Sequence, residues 1–435
     1  MSWRLPAHFF KTMIQKIITS NPKLLIQFFK LMPASFWEKK SQGVAFSAFD
    51  YAVAKSPAYR KFLKEHNVNP LEIVTIDDFK NKVPITSKKN LFHLHPIPDY
   101  LSKEEFANLF GICFSSGSTG KATPFLYSRK IYLTAMRGWF AWLDFMWDLS
   151  AKKTATLFIN AAPLGIWPFG YTLNLLMGLI LEKHNITYLT PGCDVKLVIE
   201  ILKEISKNYS QTVIATLPSF FKKILEEGDK EGFEWSKFNL KLLLAGEFLR
   251  TKQEKYFLSR IDPSGKEPWR IFNLYAAGDA GLLGCAFPPC QVIKRAIEKD
   301  ENLKKKILLS NVPDFSLFQY NPLNTFLEEE NGNLIVTSTS TLSPVVRYRL
   351  GDLVRVLSFS EMKNILHQHG YSIPSLLKNI NWKKGYFKWP FLIFLGRGDD
   401  MITIFTGAKI SPQNILPLLD TPEFEQINSF KTVSY

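Results

Sequence analysis

Apolar residues recur at near-helical spacing through the start of the chain. Phe9, Phe10, Met13, Ile14, Ile17 and Ile18, then Leu24, Leu25, Phe28, Phe29 and Met32, stand with lysines between them and predict one or two amphipathic helices from Phe9 to Trp37. A basic, Phe-rich stripe of this kind either rests on an acidic membrane surface or packs on the protein's own body, and packing is the commoner fate. No short apolar core followed by a small-residue cleavage site is seen there. A second helical pattern covers Ala45 to Phe62, and Asp77 to Phe79 reads as a short helix running into an extended turn at Pro84 to Thr86.

Short apolar runs then take over. Phe110 to Phe114 and Phe125 to Ser128 read as strands, and Ile131 to Asp148 as a long aromatic-rich helix. Thr154 to Leu181 is uncharged over more than a membrane span, but Pro163, Gly165, Pro168 and Gly170 interrupt it. It divides better into a buried strand (Ala155 to Asn160), a Gly/Pro/aromatic loop and a helix (Tyr171 to Leu181). Strand-like runs at Thr187 to Leu189, Thr212 to Thr216, Leu240 to Ala245 and Ile271 to Tyr275 alternate with helical stretches at Val195 to Asn208, Ser219 to Glu227 and Thr251 to Ile261. That alternation is the rhythm of βαβ units, and it puts Gly246-Glu247 and Ala276 to Ala280 at strand ends, where open α/β sheets bind ligands.

Further on, residues 291 to 312 read as a charged, solvated helical patch. Phe315 to Tyr320 and Leu334 to Ser338 read as strands around an Asn331-Gly332 turn, and Val345 to Val356 as a hairpin closed at Gly351-Asp352. After an inserted helix and a Lys/aromatic loop, Phe391 to Leu395 enters the polar turn Gly396-Arg397-Gly398-Asp399-Asp400.

Composition narrows the class. With 435 residues, 46% of them apolar and 21% charged, the chain has material for two or three globular domains. Lys and Arg outnumber Asp and Glu by 54 to 39, a net +15 that favours anionic partners such as nucleotides, coenzyme A or acidic headgroups. No nucleic-acid motif accompanies the charge, so a nucleic-acid partner is not expected. The four cysteines, Cys113, Cys193, Cys285 and Cys290, are too few and scattered for a disulfide scaffold, and a reducing cytoplasm fits them better. Cys285 and Cys290 suggest half a metal site, with no second Cys/His pair at zinc-like spacing.

The stretch richest in chemistry is Ser115-Ser116-Gly117-Ser118-Thr119-Gly120-Lys121, directly after the Phe110 to Phe114 strand. Four hydroxyl residues, two glycines and a lysine offer backbone and side-chain donors to an anionic oxygen. Ala122 follows the lysine where a P-loop NTPase needs a hydroxyl, which disfavours that family. A Ser/Gly surface loop is the plain alternative, just as Gly351-Asp352 alone is usually a hairpin turn.

Taken in order, this stretch, Tyr275 to Asp279, Arg347 to Asp352 and Gly396 to Asp400 resemble the motifs of the adenylate-forming superfamily of acyl-CoA synthetases, adenylation domains and luciferases, most nearly its phenylacetate-CoA ligase branch. The resemblance covers roughly residues 45 to 435. It implies an α/β fold with a large, multi-sheet αβαβα-type domain at 45–395, preceded by the helical segment 1–44 and followed at 396–435 by a hinge and a remnant of the small C-terminal lid. It also implies the activity: ATP-dependent conversion of a carboxylic acid, aromatic or fatty, to its adenylate with release of pyrophosphate, then transfer to coenzyme A or another thiol. Ser115 to Lys121 would hold the triphosphate, with Lys121 and Thr119 among the catalytic groups. Gly246 and Glu247 would border adenine, Tyr275 would stack near it, Asp279 would help hold Mg²⁺ and Asp352 would accept the ribose hydroxyls. Arg397 would meet ribose or phosphate oxygens, and Asp399 would be the hinge. Leu164 to Tyr171 is the candidate acyl-pocket loop.

Two departures matter. The tyrosine motif ends in Gly278-Asp279 instead of a hydroxyl and a glutamate, and only Asp400 to Tyr435 follows the hinge, too little to carry the family's lid lysine. An acyl-carrier or lid-domain partner would complete such a chain. The alternative reading is a nucleotide-binding pseudoenzyme acting through a protein partner or through a membrane surface touched by residues 9–37.

Overall fold

The computed structural model describes residues 21–114, 123–164, 168–308 and 312–398, together with strand backbone at 402–403 and 409–410. Ser115 to Lys121 and Asp399 therefore lie outside the described residues, as do 165–167 of the expected acyl-pocket loop.

Strands β1 (Leu109–Phe114) and β2 (Pro124–Ser128) pair antiparallel on either side of the Ser/Gly stretch. The main sheet contains β3 (Thr156–Asn160), β4 (Ile186–Leu189), β5 (Gln211–Thr216), β6 (Leu240–Leu244) and β7 (Ile271–Ala277), which run parallel in the order β4-β3-β5-β6-β7. Helices Val195–Glu204, Pro218–Lys230 and Thr251–Ile261 make the crossovers, as the apolar periodicity predicts. β3, β5 and β6 are buried along their whole length, which is why their centres read as apolar runs and not as alternations.

At β7 the sheet changes character. β8 (Gly281–Cys285), β9 (Ser316–Gln319), β10 (Thr325–Glu330), β11 (Asn333–Ser338), β12 (Tyr348–Leu357) and β13 (Phe391–Arg397) extend it antiparallel in the order β7-β8-β9-β13-β12-β11-β10. A short pair of strands, β14 (Ile402–Thr403) and β15 (Lys409–Ile410), follows. Asn331 and Gly332 close the β10–β11 hairpin with positive φ at both positions, as that turn requires.

Two expectations give way. Val345 to Val356 is not a hairpin: β12 is one ten-residue strand, in which Gly351 adopts φ 91° and the register with β13 shifts between Leu353 and Val354. Pairing on both flanks, with β11 and β13, absorbs the glycine as an irregularity in the ladder. Residues 291 onward are also less solvated than expected. Helix Pro288–Lys299 is buried at Gln291 through Lys294, and lysines turn outward only at its end, at Lys299, and on the following helix, Glu301–Leu308.

The described part of the N-terminal stripe packs on the body of the protein. Helix Pro22–Leu31 starts on an Asn21 cap and buries Leu25, Ile26 and Phe29. Phe29 meets Trp37, Phe387 and Trp389 edge to face, with centroids 5.0–5.7 Å apart. Helix Ala34–Lys55 follows after an extended Met32-Pro33 step, and Ser56 ends it by capping the next helix, Pro57–Glu65. Among the described residues no helix is long and apolar enough to cross a membrane; Thr154 to Leu181 contains β3 and helix Pro168–Ile180.

Candidate active site

The carboxyl ends of the parallel strands open into a cavity of about 790 Å³, and the sequence explains how its polar edge is built. β6 ends at Leu244, and just beyond it Gly246 turns away with φ 88°, a conformation that favours glycine. Glu247 follows and accepts from the Ser219 N–H at 2.9 Å and the Ser219 hydroxyl at 2.7 Å, so its carboxylate sits at the start of helix Pro218–Lys230. β7 carries Asn273 and Tyr275 to the same cavity, two residues apart and thus on one face. The turn after β7 supplies Asp279, only 3% exposed. From the antiparallel half come Leu350 and Asp352 of β12 and Arg397 of β13, with Asp352 and Arg397 directly paired in register.

The contacts are specific. Tyr275 donates its hydroxyl to Asp352 Oδ2, and its ring stacks on Phe318 at 5.6 Å and leans on Phe394 at 5.1 Å. Asp352 Oδ1 stands 3.2 Å from the Arg397 guanidinium. Burial, with the Asp352 charge beside it, pushes the Tyr275 phenol well above its ordinary pKa, so it stays a donor at neutral pH. Asp279 Oδ2 accepts from the Tyr348 hydroxyl at 2.6 Å and pairs with Lys88 Nζ at 3.1 Å. Burial and Asp279 raise the Tyr348 phenol in the same way.

Lys88, Tyr348 and Asn273 join the residues anticipated from sequence. Tyr348 had a legible signal, since Tyr348, Leu350 and Asp352 alternate along one strand and share a face. Lys88 had none. It opens a turn held by the reciprocal Ser87–Asn90 cap, and the preceding Thr86 bridges to Tyr348, donating to the Arg347 carbonyl at 3.0 Å and accepting from the Arg349 N–H at 2.9 Å. Asn273 is 6% exposed, and its Oδ1 is buried without a hydrogen-bond partner. Arg347 and Arg349 face away: Arg347 reaches the buried Glu328 at 3.1 Å, and Arg349 reaches Glu330 at 3.0 Å.

The rest of the cavity is mostly apolar. Tyr132, Met136, Trp139 and Trp142 of helix Arg129–Trp147 form one wall, Pro168 and Phe169 another, and Leu25 and Phe29 reach it from the N-terminal helix. Tyr132 is fixed by a 2.7 Å hydrogen bond to Thr172. A flexible or flat apolar group could thus lie against a polar rim that carries an ammonium, a guanidinium and three carboxylates.

The donors do not fit a protein-held Mg²⁺, the role that the resemblance assigns to Asp279. Magnesium takes oxygen ligands in a near-octahedral shell, whereas the Asp279 oxygen facing the rim already carries an ammonium and a phenol. Among the described residues no group of three His, Cys, Asp or Glu side chains could hold a metal, and Cys285 and Cys290 are simply buried.

Neither protein-family models nor curated proteins match the chain. Solved structures do. An open conformation of 2-hydroxyisobutyryl-CoA ligase in complex with 2-HIB-AMP and CoA aligns with 90% of this chain and 81% of its own, at 17% identity and a TM-score of 0.55. The same ligase in the postadenylation state gives a TM-score of 0.54 at 17% identity, over 90% of this chain and 73% of its own. An acyl acid amido synthetase in complex with 2,4-DB aligns with 93% of this chain and 74% of its own, at 11% identity and a TM-score of 0.53. At such identities the likeness speaks for architecture, and the architecture agrees with the motif order read from the sequence: the chain has the fold of the acid ligases of the adenylate-forming superfamily.

Proposed function

We propose that the chain binds ATP at this rim, activates a carboxylic acid as its acyl-adenylate and passes the acyl group to coenzyme A or another thiol. The observation that carries the reading is the convergence of Gly246, Glu247, Tyr275, Asp279, Asp352 and Arg397, drawn from both halves of the sheet, on one cavity with an apolar chamber. The solved 2-hydroxyisobutyryl-CoA ligase, whose structure holds 2-HIB-AMP and CoA, supports the reaction class.

In this reading Asn273 Oδ1, an acceptor in need of a donor, takes the exocyclic amine of adenine beside Gly246 and Tyr275. Asp352, oriented by Tyr275 and Arg397, accepts the ribose hydroxyls. Ser115 to Lys121 hold the β- and γ-phosphates. Lys88, fixed by Asp279, faces the α-phosphate and the substrate carboxylate and lowers the repulsion between the two anions. A carboxylate oxygen attacks the α-phosphorus, the bond to the β-phosphate oxygen breaks and pyrophosphate leaves. The thiol sulfur then attacks the acyl carbon, its proton passes to solvent and AMP leaves. No step is assigned to a protein-bound metal. The aromatic lining of Trp139, Trp142 and Phe169 favours an acid with an aryl or long alkyl body.

ATP/pyrophosphate exchange across a panel of aryl and fatty acids tests this. At least one acid is expected to stimulate exchange, and Lys88→Met is expected to cut that rate a hundredfold or more while ATP still binds. Nucleotide binding with no exchange for any acid would overturn the proposal in favour of the pseudoenzyme.

A further inference from the structure

The parallel strands have a second end. At the amino edge of β3, β5 and β6, roughly 16 Å along β6 from the Gly246 turn, lies a separate cavity of about 400 Å³. Trp147, Trp269 and Trp382 line it, and so do Lys241, Lys383 and Lys384 against a single acid, Asp148.

Lys241 is the anomaly. It is 4% exposed, and its ammonium stands over the Trp269 ring, 4.4 Å from the centroid. No carboxylate, carbonyl or hydroxyl among the described residues bonds to it. The charges nearest to it, Arg270, Glu267, Asp262 and Lys384, are already engaged. Lys384 pairs with Asp148 at 2.7 Å and donates to the Phe145 carbonyl at 2.9 Å, and Arg270 pairs with Glu267 at 2.6 Å. Asp262 accepts from the Glu267 N–H at 2.7 Å and from the Ser264 hydroxyl. Gln211 donates to the Trp147 carbonyl and to Thr156. The Trp269 Nε1–H is a second donor there that is buried without a partner.

A buried cation is ordinarily matched by an anion, and here the cavity stands where the anion is missing. We propose that this cavity binds a small aryl carboxylate, its oxygens on Lys241 and its ring against the Trp269 and Trp382 indoles, whose centroids are 6.0 Å apart. The excess of lysines over acids selects for negative charge, and the indole walls select for a flat body. No residue of the nucleotide rim reaches this edge of the sheet, so the occupant acts as an effector and not as the acid that is activated.

The amine itself provides a residue-specific reading. Burial, with Arg270 and Lys384 nearby and Glu267 and Asp262 only partly offsetting them, lowers the Lys241 pKa to about 7. In the unliganded full chain, pulse acetylation with acetic anhydride, resolved by peptide mass spectrometry, should modify Lys241 with a midpoint near that pH, well before the exposed Lys383. Benzoate should slow Lys241 acetylation at neutral pH several-fold, by raising the pKa and covering the amine, and leave Lys383 unchanged. Neutral benzamide should have no effect. An unchanged rate with benzoate, equal protection by benzamide, or equal protection by inorganic phosphate would overturn the assignment, as would a Lys241 that never labels.

Discussion

Asp352 presents one carboxylate oxygen to Tyr275 and the other to Arg397, so the acid arrives pre-aimed for a ligand that must find acceptors in place. Asp352→Asn keeps the shape and removes the charge that makes those bonds strong. Hydrogen bonds to charged groups are worth about 1.5–3 kcal/mol, so ATP affinity measured by calorimetry is expected to fall roughly 10- to 100-fold. Lys241 supports a second prediction, independent of any ligand. Its pKa is depressed in the folded chain, so between about pH 7 and the ordinary lysine value the unfolded state binds more protons, and stability attributable to this group rises with pH through that window. Lys241→Met removes the penalty. Urea titrations should show the variant gaining stability over the parent at pH 7, by a few kcal/mol at most, with the gain shrinking as pH approaches 10. A gain that is constant with pH would assign it to packing and not to ionisation.

At the level of elements, the sequence disclosed what local pattern decides and hid what pairing decides. Thr251–Ile261 and the fully buried, largely apolar β5 and β6 were legible because their periodicity and buried runs need no partner to interpret. The β12 strand was not, because a Gly-Asp pair carries the local signature of a turn and only the strands on both sides hold it extended. Helix Pro288–Lys299 misled through Lys294, which reads as a solvated charge yet is 6% exposed, paired with Glu254 at 2.6 Å and resting on Phe315. Lys88 was invisible for the same reason as β12, since a bridge to Tyr348 places it. Gly284 in β8 shows how tightly these pairings are made. A Cβ added there would lie 2.7 Å from the Phe318 Cβ, on the strand whose Phe318 ring supports Tyr275. Gly284→Ala is expected to lower stability by about 1–3 kcal/mol in denaturant titrations and to weaken ATP binding as Tyr275 shifts; unchanged midpoints would mean that β8 and β9 separate at no cost.

Across the whole molecule, the rim is divided between two kinds of sheet. Gly246 and Glu247 hang from the parallel half, Asp352 and Arg397 from the antiparallel half, and β7 with Tyr275 is the seam between them. A nucleotide bound as proposed touches both sides, so its binding energy also opposes any opening of one half against the other. Hydrogen exchange with and without ATP reads this directly. Slowed exchange is expected at once in Ala245 to Leu249, in Ala276 to Leu282 and at the paired ends of β12 and β13, even though these segments are scattered from Ala245 to Arg397 in sequence. The strand starts around Lys241 should be unaffected, since they belong to the opposite edge. Protection confined to the parallel half would mean that Asp352 and Arg397 hold each other and nothing else, and the motif order would then describe a fold without the shared nucleotide site.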